Sequence, residues 1–148
     1  MNLKTAIEPN GHVTEVSFQD ALALHQQARL AEAEAAYAMC LEQGLETPDL
    51  LCNLGSICRQ RGAYPAAHQY LSRAIQLDPN HSNAHYNLGN LYKSQGKLAE
   101  AVSTYRRCLA LTSGTTEIAK TAYNLGLTLF EIGRASCRGN VFITGGGG

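Results

Sequence analysis

The chain has no excess of charge of either sign, since Lys plus Arg and Asp plus Glu number 12 each. That balance removes the basic footprint by which proteins hold nucleic acid or anionic lipid, and neither partner is expected. Long apolar runs are missing as well. The opening residues contain no apolar segment of signal-peptide length, and no stretch of the chain is apolar for long enough to span a bilayer. A soluble cytoplasmic protein is expected. The sequence also lacks a Gly-rich phosphate loop, an HExxH helix, a Ser or Cys nucleophile with a recognisable partner, and a carboxylate pair placed for acid-base work. Catalysis within these residues is therefore not expected, and neither is a cofactor.

The five cysteines include no CxxC pair, so the usual zinc signature is absent. Cys52 and Cys58 lie six apart on one helical stretch, about 600° of turn, and cannot share a metal ion. His81 and His85 are one turn apart with no acidic residue between them, and no metal is expected there either.

What is present is a period. From Ser82 to Leu111, apolar and small residues (Ala84, Leu88, Gly89, Tyr92, then Leu98, Ala101, Val102, Tyr105, Cys108, Leu109) recur at three- and four-residue steps, with a break at Gly96 and Lys97. Two helices, each buried along one stripe, must fold back on each other. Shifted by 34 residues the same text reappears: Asn53-Leu54-Gly55 matches Asn87-Leu88-Gly89, Gly62 matches Gly96, Ala67 matches Ala101, and Ala74 matches Cys108. A fixed period of this length means an array of stacked hairpins. Cys40 and Cys108 then fall at the small buried site that Ala74 fills, where a thiol acts as a small hydrophobe.

An earlier copy is worn in its first half, with Ala21 and Ala28 where later copies carry Gly55 and Gly62, and clear in its second, from Leu30 to Leu41. A fourth copy begins at Ala119 after a lengthened linker, since Asn124-Leu125-Gly126 follows the third copy by 37 residues instead of 34. Past Gly133 the pattern fails, because Ala135 and Arg138 replace the large and small residues that Leu98 and Ala101 supply. Gly139 and the closing Gly145 to Gly148 further oppose helix. Residues 132–138 resemble translated sequencing-adapter text, and the glycine end fits low-quality read bases. The expected division is a flexible leader over 1–13; an array over 14–131 with units at 14–47, 48–81, 82–115 and a partial 119–131; and a non-native or disordered tail over 132–148. An uncapped fourth unit exposes Leu125, Leu129 and Phe130, which favours self-association through that end.

Asn-Leu-Gly, Tyr92, Gly96, Ala101, Tyr105, Cys108 in an alanine role, and Asp78-Pro79 at the turn together resemble the tetratricopeptide repeat. The resemblance implies an all-α fold, a right-handed α-solenoid of antiparallel helix hairpins with three and a half repeats. It also implies a concave groove lined by the first helix of each pair, where a protein or peptide ligand binds. The matching positions are Asp49, Asn53, Ser56 and Arg59; Asn83, Tyr86, Asn87, Asn90 and Lys93; and Lys120, Tyr123 and Asn124. Cys52, Gln60, Ser94 and Leu127 fall on the same faces. One ligand mode of the family clamps a terminal carboxylate with Lys and Asn residues, but Cys52 and Ser56 stand at two of those places. Asn53, Asn87 and Asn124 instead resemble the asparagine ladder in the repeat region of protein O-linked N-acetylglucosamine transferases. The resulting expectation is a scaffold that holds an extended peptide or partner helix. The alternative is the truncated N-terminal substrate-recruiting arm of a larger, bacterial-type enzyme, most plausibly such a glycosyltransferase.

Overall fold

The computed structural model describes residues 16–141, which form seven helices: α1 (Phe18–Gln26), α2 (Leu30–Glu42), α3 (Pro48–Gln60), α4 (Tyr64–Leu77), α5 (Ser82–Ser94), α6 (Leu98–Leu111) and α7 (Thr115–Val141). The expected leader lies outside the described residues, as do residues 142–148. Helices α1 and α2, α3 and α4, and α5 and α6 form three hairpins, and α7 packs on α6.

The helix boundaries follow from local chemistry. Ser17 caps α1 in a reciprocal box with Asp20, and Thr47 caps α3 just ahead of Pro48. Each hairpin closes through one motif in which the residue after the C-cap turns left-handed: Ala28 (φ 59°), Gly62 (φ 76°) and Gly96 (φ 72°). The next amide reaches back across the turn, Arg29 N–H to Leu24 O, Ala63 N–H to Cys58 O and Lys97 N–H to Tyr92 O, which ties up the last carbonyls of each first helix. The following helices α2, α4 and α6 start without a side-chain cap.

Of the expected stripe, Ala84, Ala101, Val102, Tyr105 and Cys108 are buried, while Leu88, Tyr92, Leu98 and Leu109 are half-buried. Ala21, Ala33, Tyr37, Cys40, Leu50, Leu54 and Ile57 are buried together around the first hairpin and α3, and Cys52, Ala67, Leu71, Ala74, Ala84 and Leu91 around the second and α5. Arg61 and Arg73 of the second hairpin pair with Glu34 and Glu46 of the first.

Two features depart from the sequence reading. The linker after α6 is short, because α7 starts at Thr115 instead of Ala119. The helix also continues past Gly133, where a break was expected, through to Val141, so the fourth unit is one 27-residue helix. Its glycines are not in a left-handed conformation, and with no Pro in the segment the i to i−4 ladder can run on. Thr121 and Thr128 are its buried residues, whereas Tyr123 (68%) and Phe130 (63%) are exposed.

Candidate functional site

The expected ligand-facing residues sit on α3, α5 and α7, and most are tied to one another. Tyr105, buried on α6, donates its hydroxyl proton to Asn90 Oδ1 at 2.6 Å. Asn124 Nδ2 donates to Tyr86 Oη at 2.9 Å and to the same Asn90 oxygen at 3.4 Å, so α5, α6 and α7 share one polar network. Two repeats earlier, at the positions that match Asn124 and Tyr105, Asn53 Nδ2 donates to Tyr37 Oη at 3.0 Å. Asn87 Nδ2 donates to Asn83 Oδ1 at 3.4 Å on its own helix. Burial pushes the Tyr105 and Tyr37 phenols up from their ordinary range, so both stay protonated and able to donate.

The cations are spread along the same elements. Arg59 Nη1 donates to Ser94 Oγ at 3.4 Å, while its Nε is buried with no partner among the described residues. Lys93 Nζ lies 3.7 Å from Glu131 of α7. Ser56 accepts from Gln60 Nε2 at 3.4 Å. Asn83, Tyr86 and Lys120 converge on one cleft of about 350 Å³ between α5, the end of α6 and the start of α7. Tyr123 stands apart from these groups, well exposed on α7.

Cys52 is a correction. Placed by resemblance on the ligand face, it is fully buried, and burial, with the Asp49 charge second, pushes its thiol up to about 12. It sits 3.7 Å from His81 Nδ1, and His81 Nε2 lies 3.0 Å from Asp49 Oδ1. Thiol, imidazole and carboxylate thus stand in the order of a nucleophile, its base and an orienting acid. The geometry serves structure. His81 Nδ1 accepts the Ala84 N–H at 3.2 Å, which makes the ring the N-cap of α5, fixes the remaining proton on Nε2 and leaves no lone pair to take a proton from the thiol.

The Asp49–His81 contact is not legible in the sequence, because it joins the first turn of α3 to the cap of α5, 32 residues on, and has no local signal. Tyr105 belongs to the expected stripe, and the period carries no sign of its hydroxyl bond or of the one at Tyr37, although a buried Tyr usually finds a polar partner. Among the described residues no group of His, Cys, Asp and Glu could hold a metal ion, and no helix is long and apolar enough to cross a membrane.

Comparison with known proteins agrees with this architecture. Residues 55–96 match the model for the TPR repeat and residues 82–111 the model for the tetratricopeptide repeat. Over 86 residues the chain is 29% identical to a tomato (Solanum lycopersicum) protein described as a probable UDP-N-acetylglucosamine–peptide N-acetylglucosaminyltransferase SPINDLY, a match that covers 58% of this chain and 9% of that one. The chain thus spans under a tenth of that relative. Among solved structures it shares the fold of the Sgt2 TPR domain from Aspergillus fumigatus (TM-score 0.70, 19% identity, 80% of this chain and 78% of that one). It is also similar to YrrB, a TPR protein with an unusual peptide-binding site (TM-score 0.62, 26% identity, 75% of this chain and 56% of that one). Residues 55–111 are accordingly tetratricopeptide repeats, and the same helix pairing extends in front of them.

Proposed function

We propose that this chain is a non-catalytic scaffold that holds an extended peptide or a partner helix along α3, α5 and α7. The observation that carries the reading is the recurrence of Asn53, Asn87 and Asn124, one on each of these helices, all half-buried. A carboxamide has two N–H donors and a carbonyl acceptor. Asn53 and Asn124 each anchor one donor on a tyrosine hydroxyl, which orients the amide and leaves its carbonyl for a ligand backbone. Arg59, Lys93 and Lys120 favour acidic residues in that ligand. The peptide-binding site named for YrrB, and the type III secretion chaperone SycD solved with a peptide of YopD, support the same reading. A cytoplasmic location belongs with it, since all five cysteines are free thiols.

The test is binding of a peptide library to the chain and to its Asn53→Ala/Asn87→Ala/Asn124→Ala variant. Affinity for selected peptides drops more than about tenfold if each lost bond contributes roughly 0.5–1.5 kcal/mol. Unchanged affinity in a variant that keeps its helical signal rejects the reading.

The similarity to SPINDLY favours a second reading, in which these repeats are the substrate-recruiting arm of a larger glycosyltransferase. The full reading frame decides between them, through the presence or absence of a nucleotide-sugar domain. Self-association through α7 is compatible with either and is supported by the exposure of Tyr123, Leu129 and Phe130.

A further inference from the structure

His81 fills a cleft. With Nδ1 on the α5 N-terminus, Nε2 on Asp49 and the Cys52 thiol close by, its ring closes the space between α3 and α5. One repeat later the walls recur without the ring. Asn83 and Tyr86 stand 34 residues after Asp49 and Cys52, Cys108 stands 34 after Ala74, and Thr121 stands 37 after Ala84. These four line the open cleft of about 350 Å³.

The altered linker is the cause. Because α7 begins four residues ahead of the position that matches Ser82, Ile118, the sequence counterpart of His81, lies inside the first turn instead of at the cap. It is 38% exposed. Helices α3 and α5 pack closely, whereas α5 and α7 are bridged by long side chains, Asn124 to Tyr86 and Lys93 to Glu131.

We propose that this cleft is a socket for the imidazole of a histidine carried by the bound peptide; that the carrier is a peptide rests on the scaffold reading above. The walls keep their roles in kind. Asn83 offers a carbonyl where Asp49 offers a carboxylate oxygen. Tyr86 stands at the place of Cys52 and supplies the donor that the Ala84 N–H supplies to His81, since the Tyr86 oxygen accepts from Asn124 and its own proton is left to donate. A neutral imidazole donates through one nitrogen and accepts through the other, as His81 does. Glu117 and Lys120 place one charge of each sign beside the cleft, so neither a lone carboxylate nor a lone ammonium meets a purely favourable field.

The experiment is an NMR titration of the 15N-labelled chain with imidazole at about pH 8, where the ring is neutral, and with acetate and methylammonium in parallel. Imidazole shifts the amide signals of Tyr86, Lys120 and Thr121. Asn83 is exposed, so it can be changed without loss of fold. Asn83→Asp, which restores the Asp49 oxygen, tightens imidazole binding about fivefold, and Asn83→Leu weakens it about fivefold, the worth of one hydrogen bond. The socket is overturned if imidazole leaves those signals unmoved, if acetate or methylammonium moves them equally, or if both Asn83 variants titrate like the parent. It is also overturned if a peptide selected in the library binds equally well after its histidine becomes alanine, an outcome that spares the scaffold reading. Imidazole binding in the cleft with no peptide bound by the chain rejects the scaffold reading instead.

Discussion

The ring of Tyr105 rests on Gly89, where an added Cβ would stand 2.6 Å from the nearest ring carbon. Leu71 rests on Gly55 in the same manner, 2.7 Å from the corresponding Cβ position. The second and third hairpins are thus each seated by one large side chain of the second helix on one glycine of the first. Gly126, the next glycine in the period, faces nothing within 4 Å, because no second helix covers it among the described residues. Gly89→Ala should therefore destabilise the chain by about 1–3 kcal/mol, since a ring cannot yield as a flexible tip does. Gly126→Ala should stabilise it by about 0.5–1 kcal/mol through the lower backbone entropy of Ala in a helix. Denaturant titration of both variants checks the opposite signs.

Ala28 performs a glycine's task at the first hairpin turn, with φ 59° where Gly62 has 76° and Gly96 72°. An L-residue in that region is disfavoured by roughly 1–2 kcal/mol. Ala28→Gly should raise the melting temperature despite the added flexibility of the unfolded chain, and Gly62→Ala or Gly96→Ala should lower it. A fall in melting temperature for Ala28→Gly would mean that the turn tolerates a Cβ without strain.

Four of the five thiols are buried, and Cys137 is exposed. Burial also pushes Cys40, Cys52 and Cys58 up from the usual thiol range, so little reactive thiolate forms near neutral pH. A thiol reagent should label one site promptly and the other four only in denaturant. Prompt labelling at Cys52 would contradict the packing around His81.

Much of this was legible in the sequence because the 34-residue period carries local rules that repeat: a small residue where helices approach, a large one to cover it, a left-handed turn between them. Gly55 and Gly89, Tyr105, Cys40 and Cys108 behave as their place in the period requires. Contacts between repeats were less legible. Cys52 falls at a position expected on the ligand face, yet it is buried in a cluster with Ala67, Leu71 and Ala74 of α4 and Ala84 and Leu91 of α5, with the His81 ring 3.7 Å from its thiol. Residues after Gly133 break the pattern of hydrophobic pairing, but no proline interrupts the backbone ladder there, so α7 continues where tertiary pairing has stopped.

The outer face of α7 presents Tyr123, Leu129 and Phe130 to solvent. If that face mediates contact between copies, sedimentation should show mass rising with concentration, and Leu129→Lys/Phe130→Glu should abolish the rise while sparing the melting temperature, because neither side chain is buried. A chain that stays monomeric at all concentrations excludes this role for the face.

Helix α7 is about 40 Å long at 1.5 Å per residue, roughly twice the length of α5. Residues 133–139 are exposed on every side, so this overhang is held by its own hydrogen bonds and by no neighbour among the described residues. An unsupported helical segment of that length is marginal in water. The cooperative unit therefore ends near Ile132, and the turns beyond it open and close independently of the rest. Trypsin should cut first after Arg134 and Arg138, releasing a core whose unfolding midpoint matches that of the intact chain.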